Sequence, residues 1–368
     1  MIRAHKIWLE PNNLQATYFA KACGVARFAY NWALAKAKEQ YEQDNTSKFN
    51  EAALRKELNA VKREQFPWML EVTKCAPQLA IKDGLARAFR NFFAKRAGFP
   101  KFHKKGINDS FSLSNDQLKI GDKSVKIPNL GYVRLSEQLR FDGKILGATI
   151  SRTADKWYIA IQVEMPDVPI SMSENQAAGV DLGVKTLAAL SDGTKIVGTK
   201  ASRQCEKKLR RLNQSLSRKV GAKKGEKKSA NFIKTRKRIS RLYARMANIR
   251  SDETHKLTTM LVQNYGVIGI EDLNAKGMMS NHKLARSVAD MSFSTFRRQL
   301  EYKAETAGVK VVIADMWFPS SKTCSVCGMK ADEMPLNVRE WTCVYCGSRH
   351  NRDVNAAINL KNYALANA

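Results

Sequence analysis

Acidic residues are scarce in this 368-residue sequence: 34 Asp or Glu stand against 63 Lys or Arg, a formal net charge of +29. A folded chain this basic repels itself unless a polyanion covers it, so nucleic acid is the expected partner, ahead of an anionic membrane. A small acidic substrate would need only a local basic pocket. Long apolar runs are missing too, and none approaches the ~20 residues of a spanning helix. The stretch from Met1 to Pro11 has no apolar segment of the secretory kind, so a cytoplasmic, nucleoid-associated protein with no membrane partner is expected. The seven cysteines are an odd number, and four fall in two tight pairs, which is metal-ligand spacing and no disulfide framework. Hydrophobic residues at 44% exclude wholesale disorder, and the length suggests two or three domains.

What is present is organised in blocks. Residues 1–10 read as a strand, broken by Pro11. Leu14, Tyr18, Ala22, Val25, Phe28 and Trp32 then recur at helical spacing. A second helix runs through Leu54 and Leu58, and a third follows Pro77, with Leu79, Leu85, Phe89, Phe92 and Phe93 inward. Residues 11–97 therefore read as a small helical domain. In 98–107, Phe99 and Phe102 alternate with Lys101, Lys104 and Lys105, and Gly98 and Pro100 forbid a helix. Rings that stack on bases beside ammonium groups that meet phosphates suit nucleic acid; a linker with two buried phenylalanines is the alternative. Residues 108–165 carry strand patterns with turn signals at Gly121–Asp122, Asn129–Gly131 and Asp142–Gly143, the mark of a small barrel or sandwich that the first strand joins.

A polar linker is expected at 166–176, followed by strands at Ala178–Leu182, Thr186–Leu190 and Lys195–Val197. From Lys200 to Arg250 the chain turns helical, with 19 Lys or Arg against 2 Glu, a net +17. Gly221 and Gly225 split it into two helices, the second with Phe232, Ile239, Tyr243, Met246, Ile249, Leu257 and Met260 as its apolar stripe. A single-sign helix pair suits a phosphate partner better than bare solvent, and Arg210, Arg211, Arg236, Arg238 and Arg241 are its candidate contacts. A strand at Val267–Glu271, a helix near Ser292–Ala307 and a strand at Lys310–Asp315 follow.

Cys324 and Cys327, then Cys343 and Cys346, are two C-x₂-C knuckles, each followed by a glycine that permits the turn. Four thiolates form a closed tetrahedral site, structural in kind, for zinc or, failing that, iron. Cys23, Cys75 and Cys205 stand alone and read as ordinary buried residues. Asp181 and Glu271 each end an apolar strand run, and Asp353 opens the last helix. A carboxylate in an apolar setting is costly unless it holds a cation or a proton, and hard oxygens suit Mg²⁺ or Mn²⁺. Singly, each has an ordinary explanation: a turn cap, a lysine pair, a favourable helix start. Together in a basic α/β domain they fit a two-metal nuclease, with ions ~3.5–4 Å apart. Asp272 alternates to the other face, and Asp315 is a weaker candidate.

Gly179-Val180-Asp181-Leu182-Gly183, Ile268-Gly269-Ile270-Glu271-Asp272, Phe318-Pro319-Ser320-Ser321-Lys322-Thr323-Cys324 and Asn351-Arg352-Asp353-Val354-Asn355, in this order, resemble the TnpB (OrfB) family, transposon-encoded RNA-guided DNA endonucleases related to type V CRISPR effectors. The resemblance extends to Arg27–Trp32 and to 98–105. It implies a multidomain α+β protein: a wedge β-barrel from 1–10 and 108–170, a helical recognition domain at 11–107, an RNase H-like RuvC nuclease domain from 171–319 and 348–368, and an inserted four-cysteine zinc ribbon at 320–347. It implies Asp181, Glu271 and Asp353 as the magnesium- or manganese-binding triad, with Arg352 near the scissile phosphate. The partners implied are a guide RNA from the transposon end and target double-stranded DNA with a short flanking motif, which Lys74 and Gln78 would face. Monomer and dimer both stay open, the monomer being favoured. Many relatives carry Asp where this chain has Asn351. Two other functions compete: an RNA-guided DNA-binding repressor, which the intact acids argue against, and a transposase or its accessory, which lacks the Tyr or His-pair spacing of a single-strand transposase.

Overall fold

The computed structural model describes residues 1–44, 49–166, 176–223, 225–335 and 337–368. The chain forms two compact units, Met1–Pro166 and Asp167–Ala368. The linker expected at 166–176 lies outside the described residues except at its two ends.

The first unit contains β1 (Ile2–Glu10), α1 (Asn13–Gln43), α2 (Glu51–Gln65), α3 (Cys75–Leu79), a π-helical stretch at Ala80–Leu85, α4 (Ala86–Phe93), β2 (Ser110–Ser114), β3 (Lys119–Gly121), β4 (Ser124–Ile127), β5 (Gly131–Leu135), β6 (Lys144–Thr153) and β7 (Lys156–Glu164). Asn12 caps α1 through a reciprocal bond pair with Gln15, at 2.9 and 3.0 Å, so the helix starts directly after Pro11. The strands form one antiparallel sheet in the order β2-β6-β7-β1-β5-β4-β3. Strand β1 joins the sheet as expected, and it is the central strand.

The expected barrel is a correction: β2 and β3 remain edges of an open sheet among the described residues. The reason lies on the apolar face. Ile7 and Leu9 of β1 and Trp157, Ile159, Ile161 and Val163 of β7 point to one side at period two and are buried there. Helix α1 covers that side, with the Phe19 ring 5.2 Å from Trp157 and 6.0 Å from Phe111 of β2. A sheet covered by helices has no need to close on itself. Phe93 is a second correction: it is 67% exposed, while Leu85 and Phe89 are buried as expected.

The second unit contains β8 (Ala177–Leu182), β9 (Ala188–Leu190), β10 (Lys195–Ile196), α5 (Ala201–Ser217), α6 (Ala230–Asn264), β11 (Val267–Glu271), α7 (Ala275–Ser280), α8 (Ala285–Met291), α9 (Phe293–Ala307), β12 (Lys310–Ala314), β13 (Glu340–Thr342), β14 (Arg349–Asn351) and α10 (Arg352–Ala366). Its main sheet runs β10-β9-β8-β11-β12, with β8, β11 and β12 parallel and the β8–β9–β10 pairs antiparallel. Helix α10 packs on β8 and β11. Helices α5 and α6 pack together through Ala201, Cys205, Leu242 and Met246. Leu242 takes the inward place that the stripe gave to Tyr243, which is 52% exposed. Cys23, Cys75 and Cys205 are buried.

Candidate active site and metal centre

Two glycines set the site. Gly179 of β8 and Gly269 of β11 are register partners in the parallel pair. A Cβ on Gly179 would lie 1.8 Å from the Ala357 carbonyl oxygen, and one on Gly269 would lie 2.2 Å from that of Leu360. Only glycine lets α10 approach this closely. Residues two apart in a strand share a face, so Asp181 and Glu271 point to the same side as these glycines, toward α10. They lie one step beyond Val180 and Ile270, the last residues that β8 and β11 pair with each other. Asp353 is in the first turn of α10, capped by Asn351, whose side-chain oxygen accepts from the Val354 amide at 3.4 Å. Asn351 thus serves as an N-cap, a role Asn fills as well as Asp. Asp181 and Glu271 stand where the parallel strands end, the usual place for ligands on an open α/β sheet, with Asp353 within electrostatic reach of Asp181. Glu271 does not line the cleft that holds the other two, and among the described residues the cysteine quartet is the cluster whose ligand atoms all lie within 4.8 Å of one another.

Their charges interact. Burial, then the neighbouring Glu271 and Asp353, push the Asp181 carboxyl from 3.8 up to about 8, against the opposing pull of Arg352 and Arg339. At neutral pH this carboxyl holds a proton until a cation replaces it. Arg339 Nη1 donates to Asp353 Oδ1 at 3.1 Å. Arg352 donates instead to the Pro335 carbonyl at 2.9 Å. Asp181, Asp353 and Arg339 line a cleft of about 770 Å³ that also holds Lys185, Lys200, Arg203, Lys283 and Arg286, a basic wall beside an acidic floor. Asp272 faces away and pairs with Arg297. Asp315 accepts from the Trp317 amide at 2.8 Å.

A proton held by the fold makes stability depend on pH. Between about pH 4 and 8 the folded ion-free protein binds a proton at Asp181 that the unfolded chain has lost. The contribution of this one group to stability is therefore fully present below about pH 4 and falls as pH rises toward 8, by about 1.4 kcal/mol per pH unit for one proton. Denaturant melts between pH 6 and 8 in buffer without added Mg²⁺ or Mn²⁺ are expected to show this decline. Asp181→Asn, neutral and similar in shape, is expected to flatten it, and a decline of wild-type slope in that variant contradicts the assignment.

The four cysteines converge as their spacing requires. Their sulfurs all lie within 4.8 Å of one another, with Cys324–Cys346 and Cys327–Cys343 at 3.7 Å. A Zn–S₄ tetrahedron with bonds of about 2.3 Å has edges of about 3.8 Å, so the quartet fits zinc. Gly328 and Gly347 take positive φ and close each knuckle by donating to the Cys324 and Cys343 carbonyls at 2.9 Å. His350 is buried with Nε2 3.1 Å from Cys324 Sγ, placed to donate to that thiolate. Purified protein is expected to carry one zinc per chain by elemental analysis. Cys324→Ala is expected to lose it, with a lower melting temperature.

The candidate nucleic-acid residues fall in both units. Lys74 precedes α3 and is exposed, while Gln78 is partly buried one turn later. Phe99 is 43% and Phe102 49% exposed, so the pair is not buried, although Phe99 packs on Phe89 and Phe92. Lys38 Nζ lies over both rings, at 5.5 and 4.8 Å. The segment is held by Asn31, which bonds both backbone polar groups of His103, and by Tyr30, stacked on its ring at 3.8 Å. Lys101, Lys104 and Lys105 are exposed, as are Arg210 and Arg211 on α5 and Arg236, Arg238 and Arg241 on α6.

Three features escaped the sequence reading. The glycine two residues before each strand acid was a legible signal. Ser320, which donates its hydroxyl to Glu271, stands inside a quoted motif. Arg339 had no signal at all, since it reaches Asp353 from the hairpin between the knuckles.

Residues 160–282 match the OrfB_IS605 family, described as "Probable transposase"; 293–360 match a Cas12f1-like TNB domain; and 1–46 match a helix-turn-helix domain of the same family, where the structure has β1 and one long helix. A Streptomyces pristinaespiralis protein named "Putative RNA-guided DNA endonuclease" is 35% identical, over 99% of this chain and 90% of its own. The similarly named InsQ of Escherichia coli K12 is 34% identical, over 98% and 91%. Among solved structures, the protein of a Cas12f1–sgRNA–target DNA complex matches 95% of this chain and 83% of its own, with a TM-score of 0.60 at 14% identity, a likeness of multidomain fold.

Proposed function

The chain belongs to the TnpB (OrfB) family of RNA-guided DNA endonucleases, and from that premise we propose that it cuts double-stranded target DNA under the direction of a bound transposon-end RNA. The observation that carries the reading is the desolvated Asp181, set with Glu271 at the strand ends and within electrostatic reach of Asp353 in the first turn of α10. Such an anionic, water-poor set suits Mg²⁺ or Mn²⁺, and these three residues would hold the ions. When bound, the ions supply Lewis acidity at the scissile phosphodiester. The chain's own cations do the rest: Lys200, Arg203 and Arg286 bind flanking phosphates in the cleft, and Arg352, next to Asp353 and within electrostatic reach of Asp181, would serve the cut site. The mixed sheet with acids at its strand ends supports the RNase H-like RuvC type for 171–319 and 348–368, with the zinc ribbon at 320–347.

Base pairing supplies the sequence choice, and the protein reads backbone, shape and a short flanking motif. The part at 1–10 and 108–170, whose described strands form the open sheet, acts as the wedge, and 11–107 as the recognition part that carries Lys74, Gln78 and the 98–105 segment. The exposed arginines of α5 and α6 cradle RNA or heteroduplex phosphates. No helix among the described residues is long and apolar enough to cross a membrane. Sequencing of the RNA that copurifies with the protein tests the reading. A single discrete species ending at the transposon boundary is expected, and a random sample of cellular RNA contradicts it.

A further inference from the structure

Glu271 and the zinc knuckle are joined by one chain of hydrogen bonds. Ser320 is 3% exposed, and its hydroxyl donates to Glu271 Oε1. Its backbone carbonyl accepts from Asn359 Nδ2 at 2.8 Å, and the same amide donates to the Thr323 carbonyl at 2.6 Å. One turn earlier on α10, Asn355 Nδ2 donates to the Thr323 carbonyl at 2.7 Å, while its oxygen accepts from the Ser325 amide at 2.9 Å. Ser325 directly follows Cys324, the first thiol of the quartet. Both asparagines are buried. Helix α10 is itself seated directly on Gly179 and Gly269, with no room for a Cβ between. The loop from Phe318 to Ser325 is thus pinned to the helix that carries Asp353.

We propose that Ser320 is a positioning residue: its hydroxyl, seated by Asn359, holds the Glu271 carboxylate in the orientation that binds a divalent cation. The inference rests on Glu271 as a metal-holding residue. Glu271 ends a strand on a side chain with three rotatable bonds, so an unheld carboxylate would sample many orientations. A hydroxyl is the suitable holder. It fixes one oxygen and leaves the other free, and it brings no positive charge to compete with the cation. Asp353 shows the contrast, since its partner is the guanidinium of Arg339. Supporting residues one shell out from a metal commonly change its affinity by about 10–100-fold when removed.

The test measures Mn²⁺ binding to the full-length protein by electron paramagnetic resonance, with zinc content and melting temperature checked for each variant. Ser320→Ala, which removes a single oxygen, is expected to weaken Mn²⁺ binding about tenfold and to slow guided cleavage, with RNA-dependent DNA binding unchanged. Ser320→Thr, which keeps the hydroxyl, is expected to restore both. Wild-type Mn²⁺ affinity in Ser320→Ala, alongside loss in Glu271→Ala, overturns the role of Ser320 and leaves the active site standing. A loss that threonine does not restore also overturns it, since the hydroxyl is then not what matters. Wild-type affinity in Glu271→Ala itself removes the premise instead.

Discussion

Glu271→Ala is expected to cut guided target DNA about 10³-fold more slowly than wild type, while RNA-dependent DNA binding stays within about twofold. The carboxylate ends β11, and the ladder there, Glu271 beside Ala314 of β12, is backbone, so the change to alanine breaks no ladder bond. The partner it abandons is Ser320, a neutral hydroxyl. The cost falls on cation binding and on charge stabilisation at phosphorus, both of which serve the chemical step alone. Gel-shift titration beside a single-turnover cleavage time course separates the two effects. Equal cutting by mutant and wild type would place the active site elsewhere.

Gly179→Ala is expected to be the most destabilising small substitution in the second unit. The added Cβ meets the Ala357 carbonyl at 1.8 Å and the Lys361 amide at 2.5 Å, both backbone atoms of α10. No side chain can swing aside to relieve the clash, so the helix must lift and carry Asp353 with it. Overpacking of this kind costs about 3 kcal/mol or more, beyond the ordinary range because backbone must move. The urea midpoint is expected to fall accordingly, with cleavage lost. Gly98→Ala is the control: a Cβ there meets nothing within 4 Å, and its stability is expected to change by less than ~0.5 kcal/mol. Equal midpoints for the two variants would mean that α10 does not rest on the strand as described.

Local chemistry was readable from the residues, and long-range placement was not. The knuckles were legible because a C-x₂-C-G turn brings two thiols together by itself, and the sulfur distances follow from that turn. Asp181 and Glu271 were legible because an acid after an apolar strand run is an exception to burial. That a helix follows Pro11 was legible from the apolar spacing that begins at Leu14, and α1 spans Asn13–Gln43. The sheet's closure was not, because strand patterns do not reveal what covers the apolar face, and here Phe19 and its helix do. Nor were Ser320 and Arg339, which reach the acids from loops whose course no periodicity fixes. Tyr243 and Phe93 show the same limit on a smaller scale: an aromatic next to a helix stripe can face either way, and both face out.

The most direct test of RNA-guided cutting by this triad uses plasmids that carry a guide-matched site beside a randomised flank, incubated with the purified RNA–protein complex and Mg²⁺. Linear product is expected only from plasmids with the matched site, enriched for one short flanking sequence, and absent with Glu271→Ala. Cutting that ignores the guide match, or that persists in the mutant, would contradict the account.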